Sequence, residues 1–371
     1  MEIIINRDIF LKSLSHAYGV IEKKTTLPIL SNILIEAKES KAKITATDLD
    51  LIYSEDMPLE ELKTEGSTTT SASILYDILR KLEPNSKINL SLQDANKLKL
   101  ISGKSKFNLL CISSDNFPIS EDDLSQKDFE VSSQKLLKLL NKAKISISND
   151  ETRHYLNGIY FHKTNLENKS FLTGVATDSH RLSSSSLEID QNISFEPIIL
   201  PKKTIFQLIS LLEQTTTNIK ISNNKSKVKF LMDKGVLISK VIDGRFPDYS
   251  KVVPKDNEKK LQLKLSDFKN SIERVSTVSL DRKEGLKMEI KKDNLRLSVN
   301  SPNSGEGVEN IDANFNSEDM NVSFNSRYLI DIASQIENET IIMNLKEAGS
   351  PVLIRDLSDK LSFHVVMPMK I

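Results

Sequence analysis

One pattern occurs three times along this chain, and it limits what the chain can fold into. Residues 131–146, VSSQKLLKLLNKAKIS, put an apolar residue ahead of a polar helix start, with Leu136, Leu137, Leu139, Leu140 and Ala143 then at helical spacing. Ser132 or Ser133 is suited to accept a hydrogen bond from a free backbone N–H at that start. The polar side carries Lys135, Lys138, Lys142 and Lys144 and no acid, so it reads as a purely positive face. The same design appears at 5–17 (INRDIFLKSLSHA) and 263–275 (LKLSDFKNSIERV), where Leu14, Leu140 and Ile272 take the same place. Each copy has a second helical segment downstream, at 73–82, 203–212 and 327–336, followed by two strand-like stretches. Such recurrence predicts three copies of one domain. Strands outnumber helices in each, which predicts an α+β fold with two helices packed on one side of antiparallel sheets.

A chain of 371 residues has room for two or three domains, and the repeat selects three. The 51 basic and 51 acidic residues cancel, so only an uneven distribution of charge could mark a nucleic-acid partner. A single cysteine, Cys111, excludes an internal disulfide framework and fits a reducing compartment. The N-terminus lacks the apolar run of a signal peptide, and no stretch approaches the ~20 apolar residues of a membrane helix. The expected location is cytoplasmic.

Along the chain, Lys23 and Lys24 fall in a loop that Pro28 ends, and 29–37, 43–47 and 51–57 alternate as strands. Residues 114–127 are polar and acidic, with Pro118, and read as a linker. Gly158 permits a bend before a strand. Asp243-Gly244 signals a turn, and Pro247 and Pro254 keep the following linker extended. The C-terminal LSFHVVMPMKI is apolar and proline-stiffened, so it is expected to dock and not to fray.

Catalytic chemistry is hard to find. Thr177-Asp178-Ser179-His180-Arg181 holds Asp, Ser and His together, but triad groups must converge in space, and neighbours in one turn rarely do. The segment is expected to stabilise a turn or line a binding surface. An enzyme would also need a nucleophile within reach of His180. The five histidines show no zinc spacing, and Ser304-Gly305-Glu306-Gly307 lacks the Lys and Ser/Thr of a phosphate loop. The acids Asp115, Glu121, Asp122 and Asp123 lack a calcium-loop pattern. Cys111 reads as a small buried apolar group. No cofactor and no metal is expected.

Basic residues on the helical faces include Lys12, Arg80, Lys81, Lys202, Lys203, Lys269, Arg274 and Arg327 beside the four lysines above. If the copies form an arc with helices inside, these charges share one concavity. Helices pack roughly 8–10 Å apart, so six in a closed ring leave a hole of roughly 5–9 Å and twelve leave roughly 20–28 Å. Only the larger hole admits duplex DNA, so a ring around DNA would take two chains. A scaffold that binds only proteins would have no such basic channel.

Five stretches then carry a resemblance: TLPILSNILIEA (26–37), RHYLNGIYF (153–161), VATDSHRL (175–182), DGRFPDYSKVVP (243–254) and VVMPMKI (365–371). In this order and spacing, over essentially the whole chain, the sequence resembles the bacterial DNA polymerase III beta subunit, the sliding clamp. The resemblance implies a DNA clamp fold of three similar domains, at 1–125, 128–253 and 255–371, in a head-to-tail dimeric ring. It implies a non-enzymatic processivity factor that encircles duplex DNA without sequence preference. Its implied partners are the replicative polymerase, a clamp loader and other proteins that insert a short peptide between the second and third domains.

Carried over by position, that peptide pocket would use Leu156, Thr177, Ser179, His180, Arg181, Leu182, Pro247, Val252, Val365, Met367, Pro368 and Met369, bordered by Arg153, Tyr155, Asn325 and Tyr328. Lys24, Arg80, Arg153, His154 and Tyr155 would face DNA. Phe107 and Leu109 of one chain would meet Thr277 and Val278 of the other. Four positions depart from the family's habit. Ser179 stands where Gly is usual, so its loop is expected to avoid a backbone conformation reserved for Gly. His154 replaces a common Tyr, Ser73 replaces a basic residue, and Thr277 is polar for a dimer contact.

Overall fold

The structure is a computed structural model that describes residues 1–22, 26–94, 96–119, 124, 128–279 and 285–369. The first copy runs through Glu2–Asn6 (β1), helix Arg7–Tyr18 (α1), Asn32–Lys38 (β2), Lys41–Thr47 (β3), Leu51–Pro58 (β4), Glu61–Thr64 (β5) and Gly66–Ser71 (β6). It closes with helix Ala72–Lys81 (α2), Lys87–Asp94 (β7), Lys97–Ser102 (β8) and Ser105–Ile112 (β9). The second copy has Phe129–Ser132 (β10), helix Ser133–Lys144 (α3), Gly158–Leu166 (β11), Lys169–Thr177 (β12), Arg181–Ile189 (β13) and Ile198–Pro201 (β14). Helix Lys202–Leu212 (α4), Asn218–Asn223 (β15), Lys227–Leu231 (β16) and Gly235–Lys240 (β17) complete it. The third has Lys259–Lys264 (β18), helix Leu265–Val275 (α5), Gly285–Lys291 (β19), Asn294–Ser301 (β20), Gly305–Asp312 (β21), Asn314–Phe315 (β22) and Met320–Asn325 (β23). It ends in helix Ser326–Ala333 (α6), Thr340–Leu345 (β24), Val352–Asp356 (β25) and Asp359–Val366 (β26). Each copy is thus strand, helix, strands, helix, three strands, as the repeat predicts.

Local chemistry starts the helices where the pattern places them. Asn6 caps α1 by accepting from the Asp8 and Ile9 amides, Ser71 caps α2 through the Ile74 amide, and Asn325 caps α6 through the Arg327 amide. In α1 the buried residues Phe10, Leu14 and Ala17 form one face, and Phe268, Ile272 and Val275 repeat it in α5. Two expectations are corrected. The sixth helix ends at Ala333, not 336, because the following amides switch to carbonyls three residues back, Gln335 to Ile332 and Ile336 to Ala333. The strand expected from 29 begins at Asn32, because Pro28–Ser31 form a 3₁₀ turn that Pro28 favours at its start. Gly158 stands where the 3₁₀ helix Glu151–Leu156 gives way to β11, and it also serves close approach, because a Cβ there would run into the Leu200 carbonyl oxygen.

The described residues form two compact units. In the first (Met1–Gln134 with Phe206–Val241), one antiparallel sheet runs β10-β15-β16-β17-β4-β3-β2-β6-β9-β8-β7-β1-β5. In the second (Lys135–Ile205 with Ile242–Ile371), one sheet runs β14-β11-β12-β13-β26-β25-β24-β18-β22 and another β21-β20-β19-β23. The third copy's core is built mainly from apolar side chains, with Phe268, Phe315, Phe324, Leu286, Leu297 and Ile354 among its buried members. Among the described residues no helix is long and apolar enough to cross a membrane.

Two strand pairs join consecutive copies. β17 pairs β4, with Leu237 opposite Tyr53, and β26 pairs β13, with His364 opposite Ser183. The equivalent strands left over are β9 and β21. Strand β21 is an edge, and β9 has β8 on one side and meets β6 only at Cys111 and Ile112.

Both joining seams are polar. At the first, Glu55 is buried and accepts from Ser13 Oγ, Tyr53 OH and His16 Nδ1, each at 2.8 Å. At the second, Ser146, Ser183 and His364 form a chain of 2.7 Å contacts, and Lys142 donates to Asp359 at 2.7 Å. This corrects the expectation of a purely positive α3 face. Lys142 is 3% exposed among the acids Asp359 and Asp356, and Lys138 pairs with Glu337, so two of the four lysines are neutralised within the fold. Two residues beyond the equivalent Leu14, Leu140 and Ile272 stand His16, Lys142 and Arg274, each a cation facing acid.

Candidate functional site

The Thr-Asp-Ser-His-Arg stretch forms the turn between β12 and β13. Thr177 Oγ1 accepts from the Ser179 amide, and Asp178 Oδ1 accepts from the His180 and Arg181 amides. These bonds hold Ser179 at φ +78°, inside the left-handed region. The expectation that Ser179 avoids a glycine-type conformation is therefore corrected. The cost of a side chain there, about 1–2 kcal/mol, is offset by the local side-chain acceptors. The first copy repeats the device: Thr47 and Asp48 accept the equivalent amides and Leu49 sits at φ +79°.

The turn is tied outward on two sides. Arg181 donates to Asp178 (3.1 Å) and Asp331 (2.7 Å), and its guanidinium lies 4.3 Å from the Tyr328 ring centroid. Arg153 donates to Asp150 (2.9 Å) and to Ser179 Oγ (2.6 Å). The C-terminal tail docks as expected: after β26, the Met367 amide bonds the His180 carbonyl at 2.8 Å and the Met369 amide bonds the Ser323 carbonyl at 2.7 Å.

Between turn and tail lies an open cavity of about 260 Å³. Thr177, Ser179, Arg181, Leu182, Pro247, Val252, Val365 and Met367, all expected from the sequence, line it. Its floor is apolar: Leu182, Val365 and Leu156 are buried and pack with Val175, Ile199 and Phe246. Leu156 therefore supports the cavity from below. Tyr328 and Asn325 act on its supports, as Arg181's platform and the α6 cap. His180, Pro368, Met369, Arg153 and Tyr155 lie outside the lining. Two lining residues were missed, Asp248 and Tyr249. Their position inside DGRFPDYSKVVP was the available signal. Tyr249 belongs to an aromatic run: Phe246 stacks on Tyr160 (4.9 Å), Tyr160 on His162 (4.6 Å), and His162 Nε2 meets Tyr249 OH at 3.0 Å. Burial pushes His162 down to about 4, so the ring is neutral there at neutral pH.

Of the residues expected to face nucleic acid, Lys24 lies outside the described residues. Arg80 is exposed on α2, with its guanidinium 5.6 Å from the Tyr76 ring centroid, and Tyr76 stacks on Tyr18. His154 Nε2 lies 3.2 Å from the Asp243 carbonyl, and Tyr155 packs beside Gly244, whose φ of +156° makes the turn that Asp243-Gly244 signals. At the expected dimer residues, Phe107 is half-buried and Leu109 buried on β9. Thr277 turns its hydroxyl back to the Glu273 carbonyl (3.1 Å), which absorbs the polarity that seemed out of place. Val278 packs against the third copy's core. Among the described residues no group of His, Cys, Asp and Glu is placed to hold a metal ion.

Family comparison follows the same three parts. Models of the DNA polymerase III beta subunit match in order: the N-terminal domain at residues 1–121, the central domain at 130–248 and the C-terminal domain at 250–370. The beta sliding clamp of Caulobacter vibrioides is 33% identical over 373 residues and that of Escherichia coli K12 28% over 371, each with complete coverage of both chains. A crystal structure of the Caulobacter crescentus beta sliding clamp superposes with a TM-score of 0.97 at 33% identity, covering 100% of this chain and 99% of that one. The sliding clamp of Bartonella birtlesii bound to griselimycin gives 0.97 at 38% identity, with both chains fully covered. Three matched domains in order, with relatives alike from end to end, establish that the chain belongs to the beta sliding clamp family, the beta subunit of DNA polymerase III, a processivity factor and not a catalytic enzyme.

Proposed function

We propose that two copies of this chain close head to tail into a ring around duplex DNA, and that the ring tethers the replicative polymerase and is placed by a clamp loader. The observation that carries this is the pair of strands left over by the repeat. β4 pairs β17 and β13 pairs β26, so β21 of one chain is matched to β9 of another. The equivalences supply a register. Leu51 pairs Ser239 and Arg181 pairs Val366, and each partner lies three residues before one that bonds back to its own copy, Ile242 to Ile199 and Met369 to Ser323. In the first copy Ile112 takes that role opposite Thr69. Leu109 then falls opposite Gly305, and Phe107 opposite Gly307. Thr277 and Val278 follow α5 beside β21. Lys104 and Lys106 near β9 complement Glu306 of β21 in charge.

Domain limits of 1–125, 128–253 and 255–371 suit this assembly. The cavity between β13, the 247–252 segment and the tail takes a partner's extended peptide, with Leu156, Thr177, Ser179, His180, Arg181, Leu182, Pro247, Val252, Val365, Met367, Pro368 and Met369 as its surface or supports. Arg153, Tyr155, Asn325 and Tyr328 border it. Two methionines flanking a proline make an adaptable apolar wall that suits several partners, and two apolar anchors contribute roughly 1.5–3 kcal/mol each. Lys24, Arg80, Arg153, His154 and Tyr155 meet the duplex at phosphates, without sequence preference.

Sedimentation across a dilution series tests the ring: twice the chain mass is expected, and a monomer at micromolar concentration would defeat it. The register is checked by oxidising the Asn108→Cys/Glu306→Cys pair in a Cys111→Ser background. Opposed strand residues are about 4.5–5.5 Å apart at Cα, within disulfide reach, so a cross-linked dimer is expected. Loaded protein should stay on circular DNA and slide off linear DNA.

A further inference from the structure

We propose that His16 is a proton-operated latch on the seam between the first and second copies, closed by the imidazolium and loosened when the proton leaves. The inference is independent of the ring. His16 Nδ1 lies 2.8 Å from Glu55 Oε2 and Nε2 lies 3.0 Å from Gln214 Oε1. Glu55 belongs to β4 of the first copy, and Gln214 follows α4 in the second. Both partners accept, and an imidazole serves two acceptors only with a proton on each nitrogen. A neutral ring keeps both contacts only if the Gln214 amide turns over to donate its N–H to Nε2, and in either case it loses the positive charge that Glu55 faces. The main chain reinforces the crossing: Gln207 of α4 donates to the His16 carbonyl at 2.6 Å.

The charges around His16 come from every element packed on it. Lys12 is one turn earlier on α1, Tyr53 and Glu55 lie on β4, and Asp233 and Lys234 lie on the β16–β17 turn. Burial alone pushes the imidazole's pKa down. The hydrogen bonds to Glu55 and Gln214 and the Glu55 charge outweigh both burial and Lys12, and raise it above 6.5. Glu55 moves the opposite way. Burial raises its carboxyl, but His16, Tyr53 and Ser13 hold it below the usual value, so the pair is charged together. Stability from His16 is then full below about 6.5 and is lost as pH rises through the raised value.

The repeat shows why this position acts as a switch. Its equivalents in the other copies are a lysine and an arginine, Lys142 and Arg274, and only the first copy has an imidazole there. At the second seam Lys142 makes the crossing contact to Asp359, and burial pushes His364 down to about 3, so that ring stays neutral near pH 7. Of His16 and His364, only His16 is placed to change charge near neutrality.

Hydrogen exchange of the full chain at pH 6 and pH 9, corrected for intrinsic rates, tests this. Protection of β4 and β17 amides should fall by about tenfold relative to β13 and β26 amides. His16→Lys, which copies the Lys142 position, should remove the difference, and His16→Gln should show the loosened seam already at pH 6. Equal pH dependence of the two seams would overturn the proposal, as would a His16→Lys protein that still loosens at pH 9. The His16 ring proton resonance, which needs no variant, should titrate above 6.5, and a midpoint below that value would overturn it equally.

Discussion

A serine in a left-handed turn shows how much a single residue can depend on its neighbours. Ser179 is tolerable because Thr177 and Asp178 accept three backbone N–H groups within five residues. Asp178 also orients Arg181. Its counterpart Asp48 accepts the two equivalent amides. Asp178→Ala is expected to destabilise the fold by about 2–4 kcal/mol, since it removes two amide acceptors and the Arg181 partner together. Urea unfolding of the variant checks this, and a loss within about 0.5 kcal/mol of zero would mean that these contacts contribute nothing. The same change should weaken binding of a labelled peptide carrying Leu and Phe anchors, because Thr177, Ser179 and Arg181 all line the cavity. The Thr-Asp pairs at 47–48 and 177–178 are visible in the sequence. What they do to the backbone is not, because an aspartate's choice between solvent and two amides depends on the turn already being closed.

Among the elements, α3 taught most. Periodicity placed its apolar face correctly: Leu136, Leu139, Leu140 and Ala143 are buried. Its polar face was misjudged, because the acids that meet Lys138 and Lys142 come from the segment after α6 and the start of β26, about two hundred residues away. Burial raises the carboxyl of Asp359, and Lys142's hydrogen bond and charge more than reverse that, holding it below the usual range. Lys142→Ala is expected to cost about 3–5 kcal/mol by leaving Asp359 without its buried cation. Lys142→Ala with Asp359→Ala should recover a large part of that, and a double-mutant cycle by chemical denaturation measures the coupling. The edge strands behave similarly. The sequence of β9, with Phe107 and Leu109 alternating against exposed Leu110, shows a strand with two sides. Only the sheet order reveals that β6 covers one of its edges at Cys111 and Ile112 alone.

For the molecule as a whole, pH acts in opposite directions on different histidines. Burial pushes His162 down to about 4 and His364 down to about 3. Each takes up a proton in the unfolded chain first, so its contribution is full above about 6.5 and declines at about 1.4 kcal/mol per pH unit below that. Denaturation curves at pH 7 and pH 5 should show a loss of roughly 2 kcal/mol per group. His364→Gln should flatten part of that slope, and an unchanged slope would show that the ring is not the titrating group. Periodicity, the threefold repeat and the quoted motifs were enough to determine an α+β chain of three like domains, its family, and most of the lining of one cavity. Those are properties of spacing, and spacing is local. Where each polar group finds its partner was decided by tertiary structure alone. Sheet order sets Glu55 against His16, Lys142 against Asp359 and Ser183 against His364. A charge separated from its mate by up to two hundred residues leaves no periodic mark, because the pairing energy exists only once water has been excluded between them.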